Sequence, residues 1–426
     1  MKSVAGCFAL VVLALAGPAM AAEYLVRCDG TGDFPTIQAA IGGASNGDII
    51  QLEDGTYLGP GNRDLDYGGK SIIVRSRSGN PAACIIDCRG DANSPHRGFF
   101  FHSGEGSGSV LHGITISGGL VSGPAPDGDG GGIYICARSS PKIENVMLTG
   151  NRATNGGGLC CTEWSEALLM NITLEGNVAT EHGGGLVCEG YSSPTLLNVS
   201  VFRNSAGGQG GGIQCTGWSC PTITNVIVGE NSALWGGGMM CWQGSSPCLL
   251  GATFFNNTAS LGAGGLACNL GSSPFLVDAT FSGNRSGSCC DNGTIHCDNN
   301  SSPRIESSIV AFGEQGPAIT CSSGSQPLLS CCDVYGNANG SWVGCIADQF
   351  GLGGNFSADP MFSDAANGRF TLRADSPCAP SSDPTCGQIG AWPVEGGVGE
   401  MPPSTCREGA TTIRNTTWGR LKTTYR

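Results

Sequence analysis

Residues 181–206 read EHGGGLVCEGYSSPTLLNVSVFRNSA. The same order returns at 210–233 as GGGIQCTGWSCPTITNVIVGENSA and at 236–259 as GGGMMCWQGSSPCLLGATFFNNTA. Glycine triplets open at Gly130, Gly156, Gly183, Gly210 and Gly236, with the degenerate AGG at 263–265 as a sixth copy, in steps of 26 or 27 residues. Cys161, Cys188, Cys215, Cys241 and Cys268 keep the same phase, as do Pro194, Pro221, Pro247 and Pro274. So do Asn151, Asn177, Asn204, Asn231, Asn257 and Asn284. Four columns sharing one period mean stacked units, each burying its apolar face only against its neighbours.

Between these marks lie LVC, TLLNVSVF, ITNVIV and ATFF, short β-branched or aromatic runs that never reach the length of an amphipathic helix. Three short strands per unit, separated by glycine, Ser-Pro and Asn turns, predict an all-β chain. The expected fold is a right-handed, single-stranded parallel β-helix, a three-sided solenoid with coils of about 26–27 residues. Coils stack about 4.8 Å apart, so each column becomes a vertical file. The glycines then turn corners that a Cβ would obstruct, and the asparagines take left-handed backbone and bond amide to amide along the pile. The cysteines, alternating with outward residues, form an inward stack of small apolar side chains. Disulfides are instead expected of Cys220, Cys248, Cys289 and Cys290 near turns, and of the close pair Cys378 and Cys386.

The ends depart from the repeat. Residues 1–22 read as an export signal: Lys2, then an apolar run from Phe8 to Ala16, then AMAA as a cleavage site. Residues 23–60 form an N-terminal cap and first coil, in which PTIQAAIGGAS spaces Ile37, Ala40 and Ile41 as a short capping helix and GDIIQL is the first strand. Residues 61–395 form the β-helix, with the clearest repeats at 130–290 and C-terminal coils at 300–393. Residues 396–426 are a Gly/Pro linker and a tail carrying Arg414, Arg420, Lys422 and Arg426 with Trp418 and Tyr425, read as a frayed end or a docking signal.

The chain has 426 residues, 71 of them glycine, only 13% charged and with a net charge of −13. An acidic balance argues against nucleic acid, which needs a basic footprint. No segment after the leader approaches the ~20 apolar residues of a membrane helix, so the rest is expected to be soluble once exported; the leader itself predicts a secreted, cell-surface or outer-membrane-associated chain. Periodic apolar residues at low charge argue against disorder.

The stretch RCDGTGDFPTIQAAIGGASNGDIIQLEDGTY at 27–57 resembles the N-terminal cap of the pectin-lyase-like superfamily, its GTGDFPTIQAAI being closest to pectin methylesterases. The GGGL and GGGI units followed by apolar-x-x-Asn are similar to the repeat of polymorphic outer membrane proteins. CCDVYGNANGSW and SADPMFSDAANGRFTLRADSPCAP are similar to the last coils of secreted bacterial β-helix proteins. The resemblance implies a β-helix fold and admits pectin esterases, lyases and hydrolases. The methylesterase active-site segments have no counterpart here, since the only Asp-Phe is Asp33-Phe34 in the cap. The adjacent aspartates and Arg-Ile-Lys of polygalacturonases are missing too, Arg304-Ile305-Glu306 being no substitute.

Two sets of residues remain as sites. Trp164, Tyr191 and Trp218 lie 27 residues apart just after the cysteine file, with Trp242 one coil on. Rings in a row either offer their faces to a glycan or stack upon one another. Glu163, Glu189 and Asp298 follow the cysteines and are candidate calcium ligands for a lyase, although no basic residue occupies the neighbouring positions; PDGDGGG at 126–132 is a looser calcium candidate. No cofactor is required and calcium is compatible. The sequence therefore favours an exported, non-catalytic adhesion or polysaccharide-binding rod. The alternatives are a calcium-assisted polysaccharide lyase or a hydrolase of acidic glycans such as pectin, and a purely structural envelope element.

Overall fold

The computed structural model of the protein describes residues 21–287, 292–382 and 385–395. The leader up to Met20, Cys289, Cys290 and the basic tail lie outside the described residues. Among the described residues no helix is long and apolar enough to cross a membrane.

The coil beginning at Gly183 shows how the repeat folds. Its strands are Leu186–Cys188, Thr195–Phe202 and Ser205–Ala206, each pairing in parallel with its counterpart one repeat later. Repetition gives parallel sheets of ten, eighteen and five strands, so the chain is a parallel β-helix. Inside, Leu186, Cys188, Leu196, Val199, Val201 and Ala206 are buried. Leu196 and Val199 are three apart, which an unbroken strand would place on opposite faces. Asn198 makes up the difference: its backbone is left-handed (φ 55°), bending the strand around a corner. Its amide donates to Asn171 Oδ1 at 3.1 Å and Asn225 donates in turn to Asn198, an outer asparagine file that sequence periodicity left unread.

The predicted inner asparagine file is present. Asn204 Nδ2 donates to Asn231 Oδ1 at 3.0 Å and to Leu174 O at 2.9 Å, and Asn204 N–H also donates to Asn231 Oδ1 at 2.9 Å. The same bonds recur from Asn151 to Asn284. The expected backbone was misplaced by one residue, however. The left-handed residue is the one before, as at Arg203 (φ 54°) and Glu230 (φ 57°), which leaves the asparagine free to point inward. Of each glycine triplet, the first turns the corner (Gly183, φ 62°), whereas the second lacks room: a Cβ on Gly184 would lie 2.4 Å from Gly211 O. A buried serine file joins them, each N–H meeting the hydroxyl one coil on, as Ser165 N does Ser192 Oγ at 3.0 Å.

The cysteine file runs in register from Cys161 through Cys188, Cys215, Cys241, Cys268 and Cys297 to Cys321. The first six are buried free thiols, and burial holds the Cys161 thiol well above its usual pKa. Cys321 ends the file in a disulfide to Cys345.

Both ends of the core are plugged. Helix Ile37–Gly43, capped by Thr36 Oγ1 accepting from Ala39 N at 3.2 Å, lays Ile37, Ala40 and Ile41 on the first coil as predicted. The first strand is Glu23–Val26, ahead of the expected Ile49–Leu52, with which it pairs in parallel. At the far end the 3-10 helix Gly344–Gln349 buries Ile346, and Gln349 bonds Leu329 N (2.8 Å) and Pro327 O (2.9 Å), occupying the open strand edge.

Residues 358–395 do not form the last coils expected of them. They fold back as a strap, with an antiparallel pair Phe362–Asp364 and Arg369–Leu372, over the outer face of the eighteen-stranded sheet. That face is apolar here: Ile309 and Ala311 point outward into a cluster with Leu372, Cys378 and Ile389. Trp392 Nε1 reaches Thr253 Oγ1 at 2.8 Å, Ala391 N reaches Thr280 Oγ1 at 2.9 Å and Gly390 N reaches Ser307 O at 2.8 Å. The strap also corrects the cysteine pairing. Cys386 bonds Cys331 of the solenoid, and Cys378 is a buried free thiol donating to Asp333 Oδ2 at 3.3 Å. Cys248 is disulfide-bonded and Cys220 is free.

Burial pushes the Asp333 carboxyl from the usual 3.8 up to about 7. Its folded state binds the proton more tightly than the unfolded chain. That stabilisation is full below about pH 4 and lost as pH rises through about 7. Wild type should lose about 2–4 kcal/mol relative to Asp333→Asn between pH 4 and pH 8, measured by urea unfolding. Asn204→Ala, which orphans the amides above and below, should cost about 3 kcal/mol in the same assay, whereas Asn198→Gly in the exposed outer file should cost less than about 1.

Candidate functional site

The sheet of ten short strands carries a trough on its outer face. The middle residue of each strand points outward, and register places Tyr134, Cys160, Val187, Gln214, Met240, Ala267, His296 and Thr320 in one file. Outward residues of a bare sheet face water, yet Val187, Gln214 and Met240 are only 1–2% exposed. They form the floor between two walls. One wall is the bridged row Asp129, Asn155, His182, Gln209 and Trp235, from the loops preceding the glycines. The other is the residue after each cysteine: Thr162, whose N–H bonds Ile135 O, then Glu189, Thr216, Trp242, Asn269, Asp298 and Ser322, each N–H bonded to the cysteine-file carbonyl of the previous coil. Two hollows of about 430 and 710 Å³ lie in this trough and share Gln209 and Trp242, making one channel along the axis.

The smaller hollow is lined by Glu181, His182, Glu189, Gln214 and Thr216 among others, the larger by His296, Asp298, Trp235 and the Cys321–Cys345 disulfide. Neither lining contains Lys or Arg. Burial pushes the Glu189 carboxyl up, helped by the nearby charge of Asp129, and burial likewise raises Asp129. Burial lowers His182 and His296, favouring neutral rings. Beyond the smaller hollow, Arg97 lies over the Phe100 and Tyr134 rings at 5.1 and 5.2 Å and donates to Asp127 O at 2.9 Å, closing that end.

The structure scatters the calcium candidates. Glu189 and Asp298 share a wall but stand four coils apart, roughly 19 Å. Glu163 sits one residue further round the corner, its carboxylate accepting from Ala137 N at 3.0 Å. Asp298 accepts from Ser322 Oγ at 2.6 Å, and Asp129 of the PDGDGGG stretch is tied to Asn155 Nδ2 at 3.1 Å. Among the described residues no three His, Cys, Asp or Glu side chains group to hold a metal ion.

The aromatic candidates divide. Trp164, Tyr191 and Trp218 do form a file, but the rings stack on one another, 4.3 Å apart and 7° from parallel, then 5.5 Å and 11°. Trp218 also lies over Gly244, where a Cβ would be 2.7 Å from its ring. The faces of Tyr191 are thus taken, and the file shows its edges, 42–53% exposed, to solvent. This is the self-stacking outcome, outside the trough. Trp242 belongs elsewhere, in the trough wall opposite Trp235. Sequence reading missed Trp235, Gln214 and both histidines because floor and far wall repeat in position but not in residue type. The available signal was the middle residue of each strand tripeptide, apolar or large where water-facing polarity is the rule.

No family model matches the sequence, and no curated protein does. Among solved structures the chain is similar to the crystal structure of pectate lyase Pel9A, with a TM-score of 0.49 and 15% identity over 88% of this chain and 97% of that one.

Trp218→Ala should cost about 1 kcal/mol in urea unfolding through the lost ring contact, and should leave retention on a polysaccharide matrix unchanged.

Proposed function

We propose that the protein is an exported, surface-exposed or secreted solenoid that binds a polysaccharide without cleaving it, and that the trough is where the chain lies. The carrying observation is Trp235 and Trp242 on opposite walls of a channel whose floor at that point is Met240. Paired half-buried rings over a flat apolar floor suit the apolar faces of sugars, and Gln209, Asn269 and Asn292 beside them suit hydroxyls. From the coil of Asn155 to that of Ser322 the trough runs roughly 29 Å, enough for several sugar rings. The predicted leader and the likeness of the repeat to polymorphic outer membrane proteins support surface display.

Cleavage by a hydrolase is the second reading, favoured by Glu189 and Asp129, whose carboxyls burial pushes up as a general acid requires. An elimination would further need a base and positive charge for a uronate, and neither hollow is lined by Lys or Arg.

A panel of neutral, acidic and amino-sugar oligosaccharides, screened by calorimetry and by reducing-end and double-bond assays, separates these readings. Binding without new ends is expected; new ends lost in Glu189→Gln would establish the hydrolase. Trp242→Ala should weaken binding about tenfold, one stacked ring being worth about 1.4 kcal/mol; unchanged affinity would remove the trough from consideration.

A further inference from the structure

Three side chains stand in line just before Leu65–Asp66 and Phe99–Phe101, the first two strands of the ten-stranded sheet. His96 Nδ1 lies 2.5 Å from Asp64 Oδ2, and His96 Nε2 lies 2.8 Å from Ser94 Oγ. A carboxylate only accepts, so it places the ring proton on Nδ1; Nε2 then offers its lone pair, and the serine hydroxyl donates to it. Each member is held by its own backbone or second oxygen. Asp64 Oδ1 accepts from Arg97 N–H at 2.9 Å, which leaves Oδ2 for the imidazole. His96 N–H donates to Leu120 O at 2.9 Å and His96 O accepts from Leu120 N–H at 2.8 Å. Ser94 closes a turn from Asp91, whose N–H donates to Ser94 O at 3.0 Å and whose Oδ1 accepts from Ser94 N–H at 2.9 Å. A surface ion pair would need only Asp64 and His96. Serine, imidazole and carboxylate in this order are the arrangement that makes a hydroxyl nucleophilic, recognised by geometry and role whatever the fold.

We propose that Ser94, His96 and Asp64 form an esterase site that removes short acyl groups from sugar hydroxyls. Ser94 Oγ attacks the ester carbonyl carbon as its proton passes to His96 Nε2. The imidazolium gives that proton to the sugar oxygen as the ester C–O bond breaks, leaving an acyl-serine. Water then attacks the acyl carbon, and its proton returns through Nε2 to Ser94 Oγ as the carboxylic acid departs. Ester and water become sugar hydroxyl and acid, with no further reactant. Asp64 is the positioning residue, holding the ring and its tautomer. The setting selects the substrate. Residues 91–95 are all exposed, and neither hollow is lined by Ser94 or His96. A long acyl chain would need an apolar pocket, whereas an open turn reaches a small ester standing out from a large molecule. His96 adjoins Arg97, which closes the end of the trough. The sugar part of the proposal rests on the glycan reading; the serine chemistry does not.

The test uses the full chain with p-nitrophenyl acetate, p-nitrophenyl octanoate, O-acetylated xylan oligomers and an alkyl fluorophosphonate. Wild type should turn over the acetate ester about tenfold or more faster than Ser94→Ala. The fluorophosphonate should label Ser94 in wild type and not in His96→Gln, read by peptide mass spectrometry. Asp64→Asn should lower kcat about tenfold at unchanged KM, a split that a merely structural role would not produce. The octanoate should react more slowly than the acetate, and the oligomers should release acetate. Ser94 and its turn are exposed, so Ser94→Ala should leave urea unfolding unchanged and a lost rate is not a lost fold. Turnover equal to that of Ser94→Ala, with no label on Ser94, would overturn the esterase while glycan binding, measured separately, stands. Faster turnover of the octanoate would overturn the short-acyl assignment. Labelling of Ser94 without acetate release from the oligomers would overturn the sugar ester.

Discussion

The solenoid depends on a side-chain amide that bonds to the coils on both sides of it. Each inner asparagine is buried with two donors and a carbonyl oxygen to satisfy, and the coil geometry supplies partners above and below. An unpaired amide at such a site costs as much as a large fraction of a domain's net stability, so the file makes register nearly all-or-none. Sliding one coil by a residue would strand every amide it touches. The serine file imposes the same condition at the opposite corner, and the thiol file between them adds volume without polarity.

This explains which parts of the molecule could be read from residues alone. Inner columns have one environment at every level, so Cys188 and Asn204 recur in type and their period could be counted. The phase error at the asparagine corner arose because the left-handed residue changes identity (Arg203, Glu230, Gly150, Gly176) while its neighbour does not. The trough escaped for the same reason: its walls pass from Asp129 to His182 to Trp235, a row fixed by backbone pairing and not by side-chain type. The strap escaped because DSPCAP carries no period, and sequence distance suggested joining Cys378 to Cys386 when the fold brings Cys331 nearer.

Frame and surface are therefore separable within one coil. In the tripeptides LVC, IQC and MMC, the first and last residues keep the core constant while the middle one faces the trough and differs at every level. Chemistry along the channel can change from acid-rich at Glu189 to aromatic at Trp242 without disturbing the inner core. The stacked file of Trp164, Tyr191 and Trp218 belongs to the frame, since its rings spend their faces on each other.

The strap gives the molecule a ruler. Its contacts at Thr253, Thr280 and Ser307 fall on three successive coils, and Cys331 fastens it to a fourth. Adding or deleting a whole coil between residues 253 and 331 would pull these anchor points out of step with a segment of fixed length. From Asn151 to Thr253 the side-chain hydrogen bonds join each coil only to the next, and a duplicated coil would meet copies of its own neighbours. Growth or shrinkage of this protein by unequal recombination is thus open in its central repeats and closed beyond Thr253.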